Sequence, residues 1–172
     1  MNKIRPLSIA LAMLFLMGCG TKQYIPEEAK IAIDEIQFFK IAGTVSVENK
    51  QPDITKVIVC VSNSGDYLSD YHLVTEHMIE QLKKELIIHG SIISKPSEKT
   101  IGLKVVKEKA YLHIFHMTGD LEVWVTLGKG EAFLIRTEHG SPGGVRAVLD
   151  GNIANGVIEI LSDKRVLSYL AE

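Results

Sequence analysis

The chain has 172 residues and a formal net charge of −2, with 19 Lys and Arg against 21 Asp and Glu. This balance supplies none of the positive field that binding to nucleic acid requires, so we expect no nucleic-acid partner. Hydrophobic residues make up 46% of the chain, which is ordinary for a globular domain.

The N-terminus has the pattern of an export segment. Lys3 and Arg5 precede an apolar run over residues 7–17. A membrane-spanning helix needs about 20 apolar residues, so this run is too short to cross a bilayer. A basic start followed by a short apolar run with small residues at its end is typical of a secretory signal peptide.

The apolar run ends in Leu16-Met17-Gly18-Cys19. This tetrapeptide resembles the lipobox of bacterial lipoproteins, although Met17 replaces the small or β-branched residue that is usual there. The resemblance implies that residues 1–18 are removed and that Cys19 is lipidated on sulfur, as by palmitate, and becomes the mature N-terminus. Gly20 follows in place of the Asp that would favour the inner membrane, which implies the outer membrane, with the domain facing the periplasm. The alternative is an ordinary signal peptide that happens to contain a cysteine.

The rest of the chain is predicted to be a tether over residues 19–40 and a single α/β domain over 41–172. Alternating or β-branched segments predict strands at 41–48, 55–62, 91–94, 101–105, 110–116, 121–127 and 131–138. Apolar residues at three- and four-residue steps predict helices at 68–88 and 141–161, and a short helix is predicted at 163–170. Ser69 or Asp66 is expected to cap the first helix and Ser141 the second, with Pro142 in its first turn.

These elements predict an α+β fold, a two-layer sandwich in which two main helices cover one face of a mostly antiparallel sheet. Gly151 and Gly156 lie inside the second helix, where each costs about 1 kcal/mol relative to Ala, so we expect its backbone to approach the sheet closely. The order of elements resembles that of small accessory lipoproteins of envelope transport and assembly systems.

No catalytic constellation is indicated. The segment around Ser141 differs from the nucleophile elbow G-x-S-x-G, because His139 replaces the first glycine and Pro142 lacks the backbone N–H that an oxyanion hole would need. His72 and His77 are five residues apart on a helix, a poor spacing for a shared metal. His113 and His116 are three apart on a predicted strand and should point to opposite faces. We therefore expect no enzyme activity, no metal and no cofactor.

Two further segments are assigned structural roles. Gly128-Lys129-Gly130 lies between two strands and predicts a hairpin turn, and Lys107-Glu108-Lys109 predicts a solvated face that interrupts or bulges a strand. Cys60 lies among β-branched residues with no cationic neighbour, so it is expected to be a buried and unreactive thiol.

One strand suggests a working surface. Leu121, Val123, Val125 and Leu127 should lie under the helices, which sends Trp124 to the open face of the sheet. Trp is enriched at interface hot spots, so Trp124 is a candidate for a partner-binding face. The alternative is that a loop or the segment around Phe38 and Phe39 folds over Trp124 and buries it.

The sequence thus predicts a lipid-anchored envelope protein, held to the membrane through its N-terminal lipid. The first functional hypothesis is a non-enzymatic accessory or assembly factor that binds a protein partner. The alternative is a lipid- or glycan-binding module of the cell envelope, which would need an apolar groove between helices and sheet.

Overall fold

The computed structural model describes residues 20–32, 34–63, 65–128 and 130–172. The predicted signal peptide at 1–18 and the lipidation site Cys19 lie outside the described residues, and so does Lys129 in the predicted hairpin turn. In the part of the chain that is described, no helix has the length and apolar character needed to cross a bilayer.

The described chain forms strands and helices in a mixed order. The strands are β1 (Lys22–Gln23), β2 (Thr44–Asn49), β3 (Val57–Ser62), β4 (Gly65–Ser69), β5 (Ile92–Ile93), β6 (Lys99–Leu112), β7 (Met117–Leu127) and β8 (Ala132–Ser141). The helices are α1 (Tyr71–Ile88), α2 (Val145–Ser162) and α3 (Lys164–Ala171).

All of these strands join one sheet, in which β6 is the central member. Strands β6, β7 and β8 form an antiparallel meander, and β3 pairs antiparallel with β4. The remaining pairings are parallel: β1 with β4, β2 with β5, and β6 with both β2 and β3. The β3–β6 pairing consists of a single residue pair, Cys60 opposite Ala110.

The prediction of a mostly antiparallel sheet is therefore wrong, although the general α+β class fits the structure. In the chain, helix α1 follows the short strands β2 and β3 and precedes β6. Both short strands pair with β6 in the sheet. A crossover through a helix returns the chain to the same end of the sheet, so the strands that it connects pair in parallel. Local alternation predicts that a segment is a strand but not the direction in which it pairs with its neighbour.

The start of α1 differs from the prediction. Residues Gly65–Ser69 form β4, so Asp66 and Ser69 belong to a strand, and Asp70 caps the helix instead. The Asp70 carboxylate accepts a hydrogen bond from the Leu73 backbone N–H at 2.7 Å, as is usual for a helix N-cap.

The start of α2 also differs. Strand β8 continues to Ser141, which pairs with Met117, and the helix begins at Val145 after Gly144, whose φ is 88°. The Ser141 hydroxyl accepts a hydrogen bond from the Gly143 backbone N–H at 3.0 Å. Ser141 therefore shapes the turn and does not cap the helix, so that prediction is wrong.

Helices α1 and α2 pack on one face of the sheet. Buried residues from both helices and from the inward face of the strands form one cluster, which includes Val74, Leu82, Val123, Ile153 and Val157. A Cβ added at Gly156 would lie 2.7 Å from Cδ2 of Leu121 and 2.5 Å from Cε of Met78. The predicted close approach of this helix to the sheet is confirmed at Gly156.

The segment before β2 is held against the domain. Tyr24 and Ile36 are buried, and β1 adds to the sheet beside β4. The Gln81 side-chain amide donates a hydrogen bond to the Ala29 carbonyl at 2.7 Å, and Glu27 forms an ion pair with Arg146 at the start of α2. The first described residues are thus already part of the folded structure.

Candidate functional site

Trp124 lies on the open face of the β6–β7–β8 meander. The inward residues of β7 are fully or almost fully buried: Leu121, Val123, Val125 and Leu127. Trp124 alternates with them and is 42% exposed. The predicted alternation is confirmed. Phe39 stacks on His89, with ring centroids 4.7 Å apart, and Phe38 lies beside the same ring, so these two aromatic residues pack elsewhere.

Charged side chains surround Trp124 on this face. Lys104 on β6 and Leu134 on β8 are its cross-strand partners. In the next rung Glu122 pairs with Arg136, whose Nε lies 3.4 Å from the carboxylate. Beyond that rung, Lys107 and Asp120 form an ion pair. The open face therefore presents the Trp124 side chain within a ladder of charges.

A second exposed surface is the tip of the β6–β7 hairpin, residues 113–116. Ile114 and Phe115 are each 89% exposed. The His113 and His116 rings stack with centroids 4.8 Å apart, and the His113 backbone N–H donates to the His116 carbonyl at 2.9 Å. The prediction that these two histidines point to opposite faces of a strand is wrong, because the strand ends at Leu112 and both lie in the turn.

The hairpin tip continues into further exposed apolar residues. Leu112 and Tyr111 precede it on β6, and Val61 is exposed on the neighbouring strand β3. Asn63 and residues 112–116 line an open depression of about 760 Å³. This surface was not predicted because residues 110–116 were expected to form one strand. The adjacent Ile114-Phe115 pair was the available signal in the sequence.

The chain reaches this end of the molecule at its first described residue. The Gly20 carbonyl contacts Gly65, which begins β4 directly after the β3–β4 turn. Because β3 runs parallel to β6, with Cys60 opposite Ala110, Ser62 and Leu112 end their strands at the same edge of the sheet. Gly20, which follows the predicted lipidation site, therefore lies at the same end as the hairpin tip.

Between the sheet and α2 lies a buried group of polar side chains. Glu108 is 0% exposed, and neither of its carboxylate oxygens has a hydrogen-bond partner among the described residues. Asp150 accepts hydrogen bonds from the Tyr24 hydroxyl at 2.7 Å and from the Glu27 backbone N–H at 2.9 Å. Burial raises the pKa of Asp150, and burial together with the Asp150 charge raises the pKa of Glu108 well above its ordinary value.

The prediction that Glu108 lies on a solvated face is wrong. The pairing of β6 with β7 shifts by one residue between Val105 and Lys107, which confirms the predicted bulge. An extra residue in one strand inverts the alternation beyond it, so Glu108 points towards the helices while Lys107 and Lys109 stay on the open face. The sequence held the signal for the bulge but not its exact position.

Cys60 lies within β3 and is 2% exposed, which confirms its predicted burial. Burial raises the pKa of the Cys60 thiol, and the charge of Asp66 raises it further. Within the described ranges, no three residues among His, Cys, Asp and Glu are grouped so that they could hold a metal ion.

No protein-family model and no curated protein matches this chain. Among solved structures, the fold is similar to that of protein XCC0632 from Xanthomonas campestris, of the family DUF330, with a TM-score of 0.52 at 9% identity over 88% of this chain and 95% of that one. This likeness shows a shared fold.

Two other solved structures match with lower TM-scores. A hypothetical protein from Chlamydia trachomatis has a TM-score of 0.48 at 8% identity, covering 75% of this chain and 98% of that chain. The lipoprotein GNA1162 from Neisseria meningitidis has a TM-score of 0.38 at 10% identity, covering 70% of this chain and 99% of that chain.

Proposed function

We propose that this protein is a lipid-anchored, non-enzymatic accessory or assembly factor of the bacterial envelope. It is held in the outer membrane by lipid on Cys19, faces the periplasm, and binds a protein partner through the open sheet face around Trp124. The anchor is supported by the lipobox-like Leu16-Met17-Gly18-Cys19 at the end of the apolar run. The partner face is supported by the exposure of Trp124.

The exposure of Trp124 is the observation that carries the partner proposal. Its backbone lies in the middle of β7, hydrogen-bonded to long strands on both sides, so the side chain is presented on a rigid support. A rigid aromatic side chain loses little conformational entropy on binding and buries a large apolar area. Hot-spot residues of this kind contribute about 2 kcal/mol or more, which is roughly 30-fold in affinity.

The charged surroundings of Trp124 favour a protein partner. Exposed ion pairs such as Glu122 with Arg136 add little affinity, but they set the orientation of a partner and reject wrong ones. An aromatic centre with a polar rim is the usual arrangement of a protein–protein interface.

The packing between the helices and the sheet favours a protein partner over the lipid- or glycan-binding alternative. Side chains such as Met78, Leu82, Leu121 and Val157 are fully buried there and pack into the core cluster. An apolar ligand in this layer would have to displace them.

The test compares Trp124→Ala with the wild type, both as full-length lipidated protein in intact envelopes. Chemical crosslinking joins the protein to its partner, and the recovered amount of this crosslinked adduct is measured. We expect the adduct to fall at least about tenfold, as for loss of a hot spot. Because Trp124 is 42% exposed, the free energy of unfolding should change by less than about 1 kcal/mol.

The matched control is Ile88→Ala, which removes an exposed apolar side chain from the end of α1 and should leave the adduct unchanged. An equal adduct with Trp124→Ala would contradict the partner face. A loss of about 3 kcal/mol in stability would show that Trp124 acts as a core aromatic instead.

A further inference from the structure

We propose that the β6–β7 hairpin tip is a second membrane contact, which inserts Ile114 and Phe115 into the lipid surface beside the acyl chains on Cys19. This inference rests on the proposed lipid anchor and concerns a different surface from the Trp124 face. The proposed occupant of the tip is the bilayer that carries the anchor. A protein partner or a second copy of this chain would be a different outcome of the test.

The chemistry of the tip suits a lipid surface. Ile114 and Phe115 are each 89% exposed, and Leu112 beside them is half exposed. No acidic residue occurs between Leu112 and Met117, so insertion would bury no carboxylate. Contiguous exposed apolar residues mark contacts with protein or membrane, since soluble surfaces seldom carry them without a function. Apolar side chains at the boundary of headgroups and acyl chains bind in proportion to the apolar area that they bury.

The tip is preformed. In addition to the hydrogen bond that closes the turn, His113 Nε2 lies 2.8 Å from the Thr118 hydroxyl. The His113 and His116 rings, which flank Ile114 and Phe115 in the chain, stack on each other. Holding the apolar side chains in one arrangement before contact lowers the entropy that insertion would cost.

The position of the anchor selects the membrane as the occupant. Strand β1 begins at Lys22, and Gly20 already contacts Gly65 at the β3–β4 turn. Cys19 immediately precedes Gly20 in the sequence, so lipid on Cys19 would be attached one residue away from this contact. Acyl chains attached to Cys19 therefore enter the bilayer directly at this end of the domain.

The tip lies at this same end. Asn63, in the β3–β4 turn, and residues 112–116 line one depression, and β3 and β6 run in the same direction into it. A domain joined to its lipid by so short a connection must rest with this end on the headgroups, which places Ile114 and Phe115 against them.

The test places a fluorescent reporter at the tip. Phe115→Trp is made in the full-length lipidated protein in which Trp124 is replaced by Phe, so that it carries one indole. The protein is reconstituted into vesicles of phosphatidylethanolamine and phosphatidylglycerol with a nitroxide-labelled acyl chain. The matched control is Ile54→Trp in the same background, at an exposed residue preceding the other end of β3.

We expect nitroxide lipids to quench the indole at residue 115 at least about twofold more than the indole at 54, with a shift of its emission to the blue. Protein that floats with the vesicles but shows equal quenching at both positions overturns the proposal and leaves the anchor standing. A blue shift that depends on protein concentration without quenching also overturns it, because a second copy then covers the tip. Failure to float overturns the anchor and, with it, this proposal.

Discussion

Glu108 lies in an environment that is unusual for a carboxyl side chain, because it is fully buried and has no hydrogen-bond partner among the described residues. A carboxylate that leaves water without a hydrogen-bond partner or a counter-ion pays a large desolvation cost, and it avoids this cost by binding a proton. Asp150 lies close enough for its charge to raise the Glu108 pKa further. Burial and the nearby Asp150 charge therefore favour the protonated form of Glu108 between α2 and the sheet.

This environment makes stability depend on pH. Between the ordinary carboxyl pKa of 4.5 and its raised value in the folded state, Glu108 binds a proton when folded and loses it when unfolded. The free energy of unfolding therefore falls as pH rises through this window. Below the window Glu108 is protonated in both states, so the stability is fully present and does not vary with pH. Asp150, whose pKa is also raised, contributes with the same sign.

Glu108→Gln should remove most of this pH dependence. We expect urea unfolding between pH 5 and pH 8 to show a smaller decline in stability for Glu108→Gln than for the wild-type protein. The new amide is also buried, and without a hydrogen-bond partner it lowers the free energy of unfolding by about 1–3 kcal/mol at every pH. The two proteins are therefore compared by the slope of the free energy of unfolding against pH and not by its absolute value. Glu138→Gln, at an exposed position on β8, is the control and should keep the wild-type slope.

Cys60 gives a second prediction for a single side chain. Its thiol is buried in β3 and its pKa is raised, so both access and the thiolate fraction are low. Native protein should react with a maleimide reagent only slowly, and unfolding in urea should release the reactivity. Val61→Cys puts a thiol at the exposed neighbouring position and should react rapidly. Fast stoichiometric labelling of Cys60 in native protein would contradict its predicted inertness.

Elements with a strong internal period could be predicted from the sequence, and those defined by a distant partner could not. The three-to-four-residue period predicted a helix over 68–88, and α1 spans Tyr71–Ile88. The alternation of β7 predicted both its buried face and the exposure of Trp124. Successive side chains of a strand point to opposite faces of the sheet, so the strand's own sequence is enough to assign each one. The Trp124 face could thus be predicted from local pattern.

The missed elements depend on contacts far apart in sequence. Ser141 and Pro142 have the pattern of a helix start, but pairing with Met117 keeps Ser141 in the sheet and delays α2 to Val145. The burial of Glu108 follows from a one-residue shift in the pairing of β6 with β7. The exposed tip at Ile114 and Phe115 depends on where β6 turns, which alternation alone does not determine.

At the scale of the whole molecule, the proposed lipid anchor would put the two proposed surfaces at different heights above the membrane. The hairpin tip is at the end of the domain where Gly20 lies, and Trp124 is in the body of β7. At about 3.4 Å per residue, the strand from Met117 to Trp124 spans about 24 Å. A partner at the Trp124 face would therefore lie alongside the domain in the periplasm, clear of the headgroups. The tip and the lipid together would hold the orientation of the sheet.

The anchor itself supplies the last prediction. A single acyl chain of myristoyl length gives only marginal membrane binding, and stable attachment needs further chains or a second signal. Lipidation of Cys19 would supply several chains, whereas the tip presents only a few apolar side chains such as Ile114 and Phe115. Cys19→Ala should therefore abolish labelling by radioactive palmitate and move the protein out of the membrane fraction, even with the tip intact. Fractionation of labelled cells measures both quantities. A Cys19→Ala protein that still takes up palmitate and stays with the membranes would show that the lipid is attached elsewhere. That result would also remove the geometric reason for placing the hairpin tip against the bilayer.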